Sequence, residues 1–169
     1  MDSPIRPVFS ALKIQDERCD PKLTLTDSAV IVRPRSVGRL RTGEQVMIIY
    51  LCGGMRSGWQ DKVMDATASM ECDVFHLDPR RNDTKEFDEY TALDLYHVRQ
   101  CDVVFAYLEA DNPSGAGLCC EVSYAKGLGK TVILVNEKDD RYLKFVESLA
   151  DAVFTNLADG IAFLQKMQI

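Results

Sequence analysis

One carboxylate in this chain stands where chemistry is easiest to build. The stretch DNPSGAGLCCEVSYAKGLGK, Asp111 to Lys130, sets a polar, glycine-bearing turn between an apolar run, Val103 to Leu108, and a segment with helical periodicity. Glu121 falls in the first turns of that segment, pointed at whatever the turn holds. Gly115 and Gly117 lack a Cβ, so the backbone there can approach a ligand closely. Asn112, Ser114 and the amides of the two glycines offer donors and acceptors for a sugar or a base. A glutamate so placed can act as a nucleophile or carry a proton; the plainer role is to cap the helix.

Three other clusters carry polar groups after apolar runs. Tyr50 lies near the end of VMIIYL, and CGGMRSGWQD follows with Gly53, Gly54, Met55 and Arg56. A glycine turn at a helix N-terminus favours an anion through unpaired N–H groups and the helix dipole. Arg56 and Ser57 add donors suited to phosphate, although a tight turn with Arg56 in solvent explains the same residues. The spacing fits neither G-x-G-x-x-G nor the P-loop, so no dinucleotide or triphosphate motif is present. In DPRRND, Asp78 and Arg80 stand where a ligand can be gripped, but a charged loop after a strand is more often plain surface. In YTALDLYHVRQC, Leu93, Tyr96, Val98 and Cys101 supply a buried side with Asp94 at its margin. A helical aspartate otherwise faces solvent. Asp102 begins the next strand and is expected to hydrogen-bond neighbouring backbone. Cys119 and Cys120 flank the loop, but only the helix terminus is there to lower a thiol pKa, so neither is expected to be a nucleophile.

These positions depend on the elements that carry them. From residue 46 onward, short β-like runs alternate with helical ones. VMIIYL (46–51), DVFHL (73–77), DVVFAYL (102–108), TVILV (131–135) and AVFT (152–155) read as strands. The uninterrupted apolar runs are those of parallel strands buried on both faces. Helices are expected from Trp59 to Glu71, Asp88 to Gln100, Gly117 to Gly127 or Gly129, Tyr142 to Ala150 and Leu157 to Met167. The alternation predicts a doubly wound, flavodoxin- or Rossmann-like α/β fold, with a parallel five-stranded sheet flanked by helices. Such sheets bind ligands beyond the carboxyl ends of their strands, where all four polar clusters lie or lead. Residues 1–45 stand outside the pattern and read as an extension packed on a domain spanning 46–169. Within them SAVIVRPR (28–35) could form an extra strand.

Composition narrows the partners. The chain has 169 residues, long enough for one domain with a sizeable core. Its net charge of −6 argues against binding a nucleic-acid polymer. Residues 1–45 hold 8 basic and 6 acidic side chains, leaving 12 against 20 for the rest, so the extension is +2 and the domain −8. The arginines of RPRSVGRLR (33–41) read as a solvated arm. No stretch is long and apolar enough for a membrane helix, and MDSPIRPVF lacks the layout of a signal peptide, so a cytoplasmic protein is expected. The six cysteines have no C-x-x-C spacing and there are only two histidines, so no metal is expected and the thiols are read as reduced and buried.

Taken in order, IYLCGGM, DLYHVRQCDVVFAYL and NPSGAGLCCEVSYAKGLGK resemble the nucleoside 2-deoxyribosyltransferase family over about residues 46–135. The resemblance implies that Glu121 is the nucleophile, that Asp94 handles the nucleobase or a proton, and that Tyr50 positions the nucleophile and sugar. It implies no cofactor, a nucleoside or nucleotide substrate with a free nucleobase as possible acceptor, and a homo-oligomer. The family includes N-glycosidases of nucleoside 5′-monophosphates. CGGMRSG looks like the phosphate-contacting turn of that hydrolase branch, while NPSG looks more like the bacterial transferases. Three functions are therefore weighed: deoxyribosyl transfer, hydrolysis of a deoxynucleoside 5′-monophosphate, and nucleotide binding without turnover, with Glu121 contacting a ribose hydroxyl.

Overall fold

The computed structural model describes residues 38–39, 45–82, 86–138 and 140–167. Six strands form one sheet: β1 (Gly38–Arg39), β2 (Gln45–Gly53), β3 (Asp73–Leu77), β4 (Val103–Leu108), β5 (Thr131–Asn136) and β6 (Ala152–Phe154). Strands β2 to β6 run parallel, in the spatial order β3-β2-β4-β5-β6. The chain thus steps outward from β2 to β3, returns past β2 to β4, and continues away. That reversal divides the helices between the two faces. Helices α1 (Trp59–Thr67) and α5 (Leu157–Leu164) cover one face. Helices α2 (Phe87–Gln100), α3 (Ala116–Gly127) and the single turn α4 (Lys144–Glu147) cover the other. The expected doubly wound parallel sheet is the fold observed.

Alternation along β2 decides which residues meet the site. Met47, Ile49 and Leu51 pack toward α1 and α5 with Trp59, Val63 and Leu164. Tyr50 and Cys52, two residues apart, turn to the opposite layer and pack with Val98, Leu118 and Val122 from α2 and α3. All five residues are fully buried, as a central parallel strand requires. Strands β2 and β4 are parallel neighbours at the point where the strand order reverses, so the loops after Gly53 and after Leu108 open side by side at the carboxyl edge.

Several expectations shift in detail. The first helix stops at Thr67, whose hydroxyl donates back to Val63 O and Met64 O at 2.9 and 3.1 Å, and Met70 sits in the following turn. The segment from Tyr142 is a 3-10 turn, Arg141–Leu143, followed by α4. Tyr96 is 54% exposed: the buried stripe of α2 runs through Asp94, Val98 and Cys101, and Tyr96 stands about half a turn away from it. Asp102 is buried and accepts from Ile48 N at 2.9 Å, tying β4 to β2 as expected. The short β1 pairs antiparallel with Gln45 and Val46, so the boundary drawn at 46 divides a strand pair. SAVIVRPR lies outside the described residues. Among the described residues, no helix is long and apolar enough to cross a membrane.

Candidate active site

Glu121 projects from the second turn of α3 toward β2. Tyr50 Oη donates to its Oε1 at 3.1 Å, and Cys52 Sγ donates to Oε2 at 2.6 Å. Both donors favour the ionised carboxylate, but burial disfavours it more, and Glu121 is pushed up to about 7. Burial, reinforced by the nearby carboxylates, holds both the Tyr50 hydroxyl and the Cys52 thiol far above their usual values. Both therefore stay protonated and remain donors.

Asp94 is the second carboxyl of the site. It is only 3% exposed, which rules out the solvent-facing alternative. Burial raises it to about 6, against the opposing influence of the Tyr50 and Tyr90 hydroxyls beside it. Tyr50 thus stands between two carboxyls and, having one proton, can donate to only one at a time. Asn82 Nδ2 reaches Asp94 Oδ1 at 3.4 Å from the segment after β3. Two neighbouring carboxyls raised by burial, one of them lining a cavity, mark a candidate functional site.

The glycine loops shape the space in front of Glu121. A cavity of about 200 Å³ is lined by Glu121, Tyr90, Gly53, Gly54, Asn112 and residues 114–118. A neighbouring one of about 430 Å³ shares Gly54 and Asn112, and is completed by Met55, Arg56, Ser57, Glu109, Asp111 and Pro113. The Gly54 carbonyl is fixed from behind by Trp59 Nε1 at 2.7 Å and Gln60 Nε2 at 2.9 Å. The two glycines of the second loop differ. Gly115 has φ +76°, and a Cβ there would stand 2.8 Å from Leu108 Cδ1, so the fold itself demands glycine. At Gly117 a Cβ would meet no protein atom within 4 Å. Both glycines line the cavity, and only at Gly117 does the protein itself leave room for a side chain. Asn112 Oδ1 accepts from Ser114 N at 3.2 Å and Ser114 Oγ from Ala116 N at 3.1 Å, so both side chains also brace the loop.

Not every expected residue joins this group. Asp78 and Arg80 grip one another: Arg80 Nε lies 3.1 and 3.0 Å from the Asp78 carboxylate oxygens, and its Nη groups extend to Asp61 on α1. Neither lines the cavities at Glu121. Their charges close the turn after β3 onto α1. Cys52, Tyr90 and Asn82 were not among the expected site residues. Cys52 shares the face of Tyr50 at i+2, and Tyr90 shares that of Asp94 at i−4, so both spacings were open to reading. The contact of Asn82 is tertiary and carries no such signal. Among the described residues, no three His, Cys, Asp or Glu side chains gather as a metal ion would need.

No protein-family model and no curated protein matches the sequence. Among solved structures, the chain is similar to a 2-deoxyribosyltransferase from Bacillus psychrosaccharolyticus, with a TM-score of 0.51 and 21% identity over 66% of this chain and 88% of that one. It is also similar to a 2-desoxiribosyltransferase from Leishmania mexicana, with a TM-score of 0.53 and 17% identity over 73% of this chain and 99% of that one. A CMP N-glycosidase from Clostridium botulinum matches at a TM-score of 0.48 and 15% identity, over 69% and 97% of the two chains. At such identities the first two matches establish a common fold, which is that of the family the sequence resembles.

Proposed function

We propose that this protein breaks the N-glycosidic bond of a 2′-deoxynucleoside through attack of Glu121 on C1′. One observation carries the proposal: a half-buried carboxyl, held by Tyr50 and Cys52, borders a cavity and has a second, buried carboxyl nearby. As the Glu121 oxygen bonds to C1′, the bond to the base nitrogen breaks and its electron pair leaves with the base. Asp94 supplies the proton that the departing nitrogen takes up, a task suited to a carboxyl raised by burial. The glycosyl-enzyme is then opened by an acceptor base or by water, which attacks C1′, returns a proton to Asp94 and frees the Glu121 carboxylate. Splitting one hard displacement into two easier ones is the advantage of the covalent route.

The larger cavity bears on whether a phosphate accompanies the sugar. Arg56 and Ser57 favour one, which supports a 5′-monophosphate N-glycosidase as the second reading. Glu109 and Asp111 line the same space and oppose a dianion, so the unphosphorylated deoxynucleoside is the preferred substrate. Chromatography of products from deoxynucleosides and their 5′-monophosphates, each with and without adenine, tests both readings. Base exchange marks a transferase, free base alone a hydrolase. Tight nucleotide binding with neither product would replace catalysis by a binding role.

A further inference from the structure

We infer that Cys52 is a positioning residue for Glu121, its thiol holding Oε2 while Tyr50 holds Oε1, so that the carboxylate presents one fixed orientation to the cavity. The inference rests on the proposed role of Glu121, but its geometry stands independently. Tyr50 and Cys52 are alternate residues of β2, the strand at the middle of the reversal, and both are 0% exposed. Their side chains emerge on the same face, and the spacing of a strand places them against the two oxygens of one carboxylate. Cys52 is pinned in turn by the neighbouring strand, since Leu51, Cys52 and Gly53 pair with Phe105, Ala106 and Tyr107 of β4. A thiol is a weak donor, but one aimed at a partly desolvated carboxylate satisfies the oxygen that faces the core.

The titratable groups that face Glu121 are Tyr50 and Cys52 from β2 and Tyr90 and Asp94 from α2, while Cys119 of α3 lies near Cys52. Asp94 disfavours the ionised form of Glu121, and Tyr50 and Cys52 favour it. Loss of the Cys52 donor must therefore make Glu121 harder to ionise. A purely packing role for the thiol would leave that ionisation where it is.

The test is a direct titration of the Glu121 carboxyl in the full chain, followed by 13C NMR with Glu121→Gln identifying the resonance. Cys52→Ala should move the midpoint upward by about one pH unit, and Cys52→Ser, which keeps a donor of similar size, should restore most of the shift. In turnover assays Cys52→Ala should lose about tenfold in kcat/KM below the midpoint, and little above it, since one unit is a factor of ten in the ionised fraction there, while Cys52→Ser should stay close to wild type. An unmoved midpoint in folded Cys52→Ala overturns the inference, as does a shift that Cys52→Ser leaves uncorrected. Because the titration needs no substrate, its outcome is separate from that of the proposed reaction. If Glu121→Gln retains turnover while the Cys52 shifts appear, the reaction is wrong and the positioning contact is right.

Discussion

The hydroxyl of Tyr50 donates to Oε1 of Glu121 at 3.1 Å, joining a strand residue to a helix residue 71 positions later in the chain. The bond exists because β2 and α3 meet where the chain reverses across the sheet. It also sets an expectation for mutation. Tyr50→Phe keeps the ring and its packing but removes a hydrogen bond to a charged group, a loss of about 1.5–3 kcal/mol. Turnover should fall about 10- to 100-fold with little change in folding, checked by steady-state kinetics beside circular dichroism.

The two carboxyls set the pH dependence. Glu121 must be ionised to attack, so activity is lost as pH falls through its value of about 7. Asp94 must be protonated to assist the leaving base, so activity is lost as pH rises through about 6. The values belong to an interacting pair, and kcat/KM should trace a narrow bell centred between them. Asp94→Asn should lower the rate and remove the alkaline limb, leaving a profile that rises with pH through the ionisation of Glu121 alone. A pH–rate profile of both proteins with one deoxynucleoside decides the matter.

Glu121 should also cost the fold stability in a pH-dependent way. Its folded value, about 7, lies above the ordinary value of 4.5, so the native state binds the proton more tightly than the unfolded chain. Stability therefore declines as pH rises from about 4.5 to about 7 and stays reduced above that. Glu121→Gln carries no charge to bury, so its melting temperature relative to wild type should climb between pH 5 and pH 8. Parallel thermal melts at the two pH values read this directly.

The glycines of the second loop should separate fold from ligand contact. Gly115→Ala forces a side chain into a left-handed backbone against Leu108 and should destabilise by about 1–3 kcal/mol. Gly117→Ala meets no protein atom and should leave the melting temperature unchanged or slightly higher. Because Gly117 lines the cavity at Glu121, its substitution should instead raise KM. Denaturant unfolding and kinetics on the two variants distinguish the roles.

Much of this site was legible in the sequence, for identifiable reasons. Parallel strands appear as apolar runs and end in glycine or polar turns, which located Tyr50 and the loop leading to Glu121 at strand ends, while Asp94, at the margin of a helix, was singled out by the family resemblance. The same uninterrupted runs conceal which face each residue takes, because both faces of β2 are buried. Cys52 is reduced and buried, as the sequence implies, but its contact with the carboxylate follows only from its parity with Tyr50. Gly115 and Gly117 look alike in sequence, and only the position of Leu108 tells them apart. Asp78 and Arg80 offered suitable chemistry at a suitable strand end, but Asp61, on a helix earlier in the chain, joins their ion pair. Tertiary partners of this kind have no local signature.

The central claim is a covalent bond from Glu121 to C1′, and rapid acid quench followed by mass spectrometry tests it most directly. Wild-type protein mixed with a deoxynucleoside should carry one deoxyribosyl group, mapped to the peptide containing Glu121 and absent from Glu121→Gln. Turnover at the wild-type rate by Glu121→Gln, or a deoxyribosyl group on any other residue, would contradict it.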